Sequence, residues 1–305
     1  MIHKKKIVVA LAAVALVISA VFTSLGVRNY LCLRRQLLEK RAAWAALEQR
    51  ISNEIRNFNQ EAGIIIKDLK TGWEIKIDEN KLFPSASMVK VPIMASFILA
   101  SSRGEVDLNL KLVLKNRNKV LGSGILKDYA AGTAFSINDL IEVMVIHSDN
   151  TAANMLIEYM GFKRLNSYFK QLGLNNTNLS RKMMDFRKRK EGIENFTTAW
   201  DTAYLLEEIY DNRLVNKELS HKCLIILKHQ KLRDRIPAKL PPDTPVAHKT
   251  GLERGVCHDA GIVFTPGGNF IVCVLTKHDY KYARPAKKFI SNIALGVYNY
   301  CCGES

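Results

Sequence analysis

The period of apolar positions changes several times along this chain, and each change predicts an element. Ile7 to Val27 is a run of 21 uncharged positions, mostly Val, Ala, Leu and Ile. From Leu31 to Phe58 the period turns helical: Leu37, Trp44, Ile51 and Phe58 recur every seven residues, with Leu33, Leu47 and Ile55 on the same side. This reads as a helix packed on the following domain rather than a short coiled coil. Residues 63–69 and 73–77 read as two strands around the turn Lys70-Thr71-Gly72, a β-hairpin. Pro84 precedes a helix from about Ser87 to Ser101. Between about 105 and 230 strand character fades, and helical patterns fall at 137–147, 150–160, 162–172 and 198–211. Strands return at Val246–Thr250, Val256–Phe264 and Phe270–Thr276, with Thr265-Pro-Gly-Gly268 as the turn between the last two. A final helix spans about 284–299. Two early strands and three late ones flanking a helical block predict an α+β fold, an α/β sandwich. Its five-stranded antiparallel sheet is built from both chain ends, with a helical insertion at about 105–230.

At helical rise the first apolar run is about 31 Å long, enough to cross a bilayer's hydrocarbon core. Basic residues flank it on both sides, His3 to Lys6 before and Arg28, Arg34 and Arg35 after, so they do not set orientation by count. The run exceeds the usual length of a signal-peptide core, which favours an uncleaved single-pass transmembrane helix. The alternative is secretion after cleavage near Ser24-Leu25-Gly26. The expected organisation is therefore a membrane anchor or signal segment over 1–30, a juxtamembrane helix over 31–58, and one globular domain over 59–305, expected outside the cytoplasm.

Composition refines this picture. Lysine and arginine number 45 against 29 acidic residues, a formal charge of +16. Such a balance favours anionic lipid or acidic wall polymer as partners. Nucleic acid is set aside, because no zinc-finger spacing or aromatic RNA-binding motif accompanies the charge. The seven histidines form no HxxxH or HxH group and the six cysteines no paired metal spacing, so neither a metal nor a cofactor is expected.

Three short motifs carry the chemistry. Ser87-Met-Val-Lys90 places a hydroxyl and an amine at i and i+3, on one helix face, near a helix N-terminus whose free N–H groups suit a developing oxyanion. A lysine that is desolvated or crowded by a second cation can serve as a base. The pattern is weak alone, since Ser167-Tyr-Phe-Lys170 also fits it from the middle of a helix. Ser148-Asp149-Asn150 precedes Thr151-Ala-Ala-Asn154, and by itself is what a helix N-cap looks like. Lys249-Thr250-Gly251 by itself is a strand running into a turn.

Together and in this order, the three motifs resemble those of the class A β-lactamase and penicillin-binding group of serine hydrolases. Phe83-Pro-Ser-Ala-Ser-Met-Val-Lys-Val-Pro92 and Ser148-Asp-Asn-Thr-Ala-Ala-Asn154 also look like that family, and the likeness runs over roughly residues 45 to 300. The resemblance implies the family's fold and an acyl-enzyme formed on Ser87. Lys90 would take the Ser87 proton or hold the base network, and Ser148 would relay a proton to the leaving nitrogen. Asn150 would orient the substrate or Lys90, while Lys249, Thr250 and Gly251 would form the strand that binds the substrate carboxylate. The oxyanion hole would be the backbone N–H groups of Ser87 and Leu252, the latter just past the strand end. Asp149 fits a structural cap better than a catalyst. His248, Glu253 and Arg254 flank the motif as weaker candidates for substrate contact.

One stretch departs from the pattern. Class A β-lactamases carry, two residues after a loop arginine, a glutamate that activates the water attacking the acyl-enzyme. Here the loop reads Leu179-Ser-Arg181-Lys-Met183-Met-Asp185, so Arg181 has its counterpart but Met183 stands at the glutamate position. A thioether is no base. Asp185 is the nearest carboxylate that could replace it, with Glu191 and Glu194 requiring a differently shaped loop. Acylation looks intact and efficient deacylation does not. The leading reading is β-lactam hydrolysis through an acyl-serine with slow deacylation. The alternative is a D-Ala-D-Ala carboxypeptidase or penicillin-binding protein acting on cell-wall peptides, and a third is a wall-binding protein without turnover.

Overall fold

Three almost wholly buried strands from the end of the chain form the centre of the structure, a computed structural model that describes residues 2–303, without the side chains of residues 2–15, 17 and 20. In chain order the elements are α1 (Ile2–Phe58), β1 (Glu61–Asp68), β2 (Glu74–Ile77), β3 (Phe83–Pro84), a 3₁₀ turn at Ala86–Val89, and α2 (Lys90–Ser102). The middle of the chain gives β4 (Lys111–Val113), β5 (Ala134–Ser136), α3 (Ile137–Ile146), α4 (Asn150–Met160), α5 (Phe162–Gln171), α6 (Phe186–Lys190), β6 (Phe196–Thr197), α7 (Ala199–Tyr210) and α8 (Lys217–Lys228). The chain then returns to strand with β7 (Val246–Glu253), β8 (Val256–Val263) and β9 (Phe270–Lys277), and closes on α9 (Arg284–Cys302).

The main sheet has the order β2-β1-β9-β8-β7, every pair antiparallel. The early hairpin joins the late strands through β1 and β9, from Glu61 opposite Lys277 to Asp68 opposite Phe270. The α+β architecture with a five-stranded antiparallel sheet from both chain ends is therefore as expected. Alternation along β9 sends Ile271, Cys273 and Leu275 into the large core shared with the helical insertion. Val272 and Val274 turn to the opposite face, on which α9 packs. Strand β7 is an edge strand, and it lies beside the 3₁₀ turn that opens α2.

The chain divides into two units, Met1–Arg50 and Ile51–Ser305. The first consists of α1 up to Arg50. Among the described residues no helix is long and apolar enough to cross a membrane. Most of the Ile7–Val27 run, the expected transmembrane segment, lies outside the described side chains.

Three differences from the sequence reading bear on the architecture around the site. Helix α8 was not expected, because the continuous run Cys223–Leu227 blurs its period, although Asn216 caps it by accepting from the Leu219 N–H at 2.9 Å. The expected helix at Ser87 begins as a 3₁₀ turn and becomes α only at Lys90. Strand β7 does not stop at Thr250 but continues through Glu253, so Leu252 lies within the strand, opposite Cys257, and not beyond its end.

Candidate active site

Ser87 sits on a strained turn. Ala86, just before it, has φ of +44°, a left-handed conformation that a non-glycine residue adopts at a cost of about 1–3 kcal/mol. The segment is held from both sides: Phe83 and Pro84 pair with Thr197 and Phe196, and the Ser85 N–H donates to Asn195 O at 2.7 Å. Within the 3₁₀ turn residues i and i+3 nearly eclipse. That geometry brings the Lys90 Nζ to 3.1 Å from the Ser87 Oγ.

Lys90 is fully buried, and four oxygens surround its amine. Its Nζ donates to Ser148 O at 2.6 Å and Asn150 Oδ1 at 2.8 Å, and faces the Ser87 and Ser148 hydroxyls at 3.1 and 3.3 Å. Burial lowers its pKa to about 7, with the negative charges of Asp149 and Glu253 opposing the shift. Lys249, also fully buried, donates to Ser148 Oγ at 2.9 Å and to Thr250 O at 2.8 Å. Its pKa falls well below the usual lysine value, first through burial and then through the neighbouring cations Lys90 and Arg235. The Ser148 hydroxyl thus bridges two amines that compete for protons. This is the arrangement a proton relay requires.

The Ser148-Asp149-Asn150 segment is built as a cap, with Ser148 itself at φ +53°. Asp149 Oδ1 accepts from the Ala152 N–H at 2.8 Å, and its Oδ2 accepts from the N–H groups of Ile125 and Leu126 at 2.6 and 2.8 Å. Three bonds from backbone leave its carboxylate a structural anchor. Gly124 allows this close approach, since a Cβ there would lie 2.3 Å from the Asp149 carboxyl. Asn150 Nδ2 in turn donates to Leu121 O at 3.3 Å, which fixes which edge of the amide faces Lys90.

The remaining expected residues fall as follows. Thr250 is buried in β7, and a Cβ at Gly251 would meet the Met88 Cγ at 3.2 Å, so the third motif lies against the turn of the first. Leu252 is half-exposed on the edge strand. The second SxxK pair, Ser167 and Lys170, is exposed on α5, away from this cluster, and Gln171 donates to the Ser167 hydroxyl. His248 and Glu253 are engaged elsewhere. His248 is buried with Nδ1 2.9 Å from Asp259 Oδ1, while Glu253 accepts from Arg181 at 2.9 Å and from Arg189 at 2.9 Å.

The loop from Leu179 to Glu194 is clamped. Arg181, almost wholly buried, donates from Nε to Glu194 Oε1 at 2.7 Å, and Arg189 bridges Glu194 and Glu253. Glu194, one of the acids that could have folded back toward Ser87, is thereby committed to an ion pair. Met183 is buried, and its main chain is bound on both sides by Asn154: its N–H donates to Asn154 Oδ1 at 2.7 Å, and its C=O accepts from Asn154 Nδ2 at 3.1 Å. Met184 has φ of +66°, and its thioether lies within 3.2 Å of where a Gly122 Cβ would be, beside the Asn150 amide. Asp185 caps α6 by accepting from the Lys188 N–H at 3.1 Å.

Three positions that matter for this geometry were not assigned roles from the sequence. Asn154 was visible only as the end of the Ser148–Asn154 stretch. Arg235 is buried with its Nε 3.3 Å from Cys257 Sγ and acts on Lys249 through its charge. His258 lies beside Asp259 in a strand whose other residues are apolar or glycine, and that polar pair was the one signal that could have been read.

The profile of the family described as Beta-lactamase enzyme family matches residues 46–301. Beta-lactamase VEB-1 of Pseudomonas aeruginosa is 26% identical over 272 residues, 83% of this chain and 90% of that protein. The crystal structure of a beta-lactamase from Sphaerobacter thermophilus superposes with a TM-score of 0.77 at 28% identity, covering 85% of this chain and 97% of the other. A PBP-A variant with one leucine replaced by glutamate, solved as an acyl-enzyme with penicillin G, gives a TM-score of 0.76 at 28% identity, covering 84% and 96%.

Proposed function

This chain belongs to the beta-lactamase enzyme family, whose members act as serine hydrolases, and on that premise we propose that it opens β-lactams through an acyl-enzyme on Ser87 that it hydrolyses slowly. The observation that carries the reading is the Lys90 amine, buried, near neutrality in pKa and 3.1 Å from the Ser87 hydroxyl. As a free amine, Lys90 accepts the Ser87 proton while Oγ attacks the lactam carbonyl, and the backbone N–H groups of Ser87 and Leu252 receive the oxyanion. The C–N bond then breaks, and the departing nitrogen takes a proton from the Ser148 hydroxyl, which is replenished from the lysine on either side. Asn150 keeps Lys90 aimed. Lys249, with Thr250 and Gly251, receives the substrate carboxylate, whose charge restores the ammonium form that burial disfavours.

The loop supports slow deacylation. Met183 stands where relatives with fast turnover are expected to carry a glutamate, and its thioether takes no proton. The same observation favours a second reading, a D-Ala-D-Ala carboxypeptidase or penicillin-binding protein acting on wall peptides, and the likeness to PBP-A agrees with it. Both readings require the same first step. A fluorescent penicillin should label the wild type and Ser167→Ala but leave Ser87→Ala unlabelled and folded; labelling that survives in Ser87→Ala removes Ser87 as the nucleophile.

We propose also that Ile7–Val27 anchors the chain in the cell membrane with residues 59–305 outside the cytoplasm, on the support of 21 uncharged positions in a row. The net positive charge, +16 over the whole chain, would draw the protein to anionic lipid or wall polymer. Recovery of the full-length chain in the soluble fraction after alkaline extraction would remove the anchor.

A further inference from the structure

Strand β8 buries a polar ring that no motif calls for. His258 has no exposed surface, and the Thr276 N–H donates to its Nδ1 at 3.0 Å. An amide N–H only donates, so Nδ1 is an acceptor and the ring proton of the neutral imidazole sits on Nε2. Nε2 lies 2.8 Å from the carbonyl oxygen of Pro84, to which it donates. The Phe83 ring meets the imidazole edge-on at 6.3 Å between centroids, and a Cβ at Gly251 would come within 3.1 Å of its Cδ2. One side chain therefore touches the strand of the third motif, the neighbouring strand β9, and the segment that leads into Ser87.

We propose that His258 is a positioning residue for acylation: its Nε2–H holds the Pro84 carbonyl and thereby fixes the left-handed turn at Ala86 that presents Ser87 to Lys90. This inference rests on the reading of Ser87 as the nucleophile. A left-handed alanine persists only where its surroundings over-determine it. The ties on this turn are the pairing of Phe83 and Pro84 with Thr197 and Phe196, the Ser85 N–H to Asn195 O, the Met88 N–H to Ser85 O at 2.9 Å, the Ser85 hydroxyl to Ala86 O at 3.4 Å, and the His258 bond to Pro84. Among these, the His258 bond is the one made by a side chain from outside the segment. Burial pushes the imidazole pKa down to about 4, so at neutral pH the ring stays in the form that can accept from Thr276 and donate to Pro84 at once.

Two amides separate the two nitrogens of the ring. In His258→Gln the carboxamide reaches the Nε2 position and can still donate to Pro84. In His258→Asn it reaches only the Nδ1 position and keeps the Thr276 bond alone. The acylation rate constant with a fluorescent penicillin, measured beside thermal stability, should fall about tenfold or more in His258→Asn and return to within about threefold of wild type in His258→Gln. Adding Ala86→Gly, which relieves the left-handed strain, should recover much of the loss in His258→Asn. Equal rates in the two variants, or no recovery with Ala86→Gly, would overturn the positioning role. A wild type that never labels would instead remove the Ser87 reading, and this one with it. The wild type itself offers a check that needs no variant to fold: nitrogen NMR of the imidazole should show His258 neutral with Nε2 protonated, and an Nδ1–H tautomer would refute the proposal.

Discussion

Asn154 grips Met183 by both edges of its carboxamide, at 2.7 and 3.1 Å. Four residues earlier on the same helix, Asn150 accepts from Lys90 at 2.8 Å. Positions i and i+4 share a helix face, so α4 presents to the site both the residue that orders the base and the loop residue opposite it. The register of the loop is therefore not adjustable by a slip of one or two positions.

If Met183 occupies the water-activating position, Met183→Glu should speed hydrolysis of the acyl-enzyme and leave acylation nearly unchanged. General-base catalysis is worth about 10²–10⁴-fold, and the steady-state rate after the burst is where the gain would appear. Asp185→Asn tests the other carboxylate. A fast wild-type steady state that collapses in Asp185→Asn would mean that the α6 cap doubles as the base and that Met183 is a bystander.

The low pKa of Lys90 sets a pH profile. Its free amine is the active form, so the acylation rate should rise about tenfold per pH unit below 7 and level off above it. The sign for stability follows from the same shift. Between about 7 and the usual 10.5 the unfolded chain binds more protons at this lysine than the folded one, so its contribution to stability grows as pH rises through that window. A rate that is flat from pH 6 to 9 would remove Lys90 as the base.

Lys249→Ala should slow acylation by a penicillin more than by its neutral ester. A charge-assisted bond to carboxylate is worth about 1.5–3 kcal/mol, or roughly ten- to a hundredfold. Equal losses for the two substrates would take Lys249 out of carboxylate binding and leave it its bonds to Ser148 and to Thr250 O.

Much of this was legible in the chain because the patterns were local. Short apolar runs between turn residues placed the five main strands, and the resemblance to a known family singled out Ser87, Lys90, Ser148, Asn150, Lys249 and Thr250 in three motifs that the fold brings within hydrogen-bonding distance or van der Waals contact of one another. What could not be read depends on pairs far apart in sequence. The partner of His258 is Pro84, 174 residues away, and Glu253 is held by Arg181 across 72 residues. Nor does periodicity report a φ of +44° at Ala86, where alanine carries no mark of a left-handed turn. Glu194 and Glu253 looked available as chemistry; burial beside Arg181 and Arg189 makes them structural.

The central claim joins fast acylation to slow release, and intact-mass spectrometry after a short pulse of penicillin measures both on one molecule. The expected result is a single adduct on Ser87, formed at near-complete occupancy and still present long after free drug is removed. An adduct that disappears as fast as it forms, or a chain that never gains the mass of the drug, would contradict it.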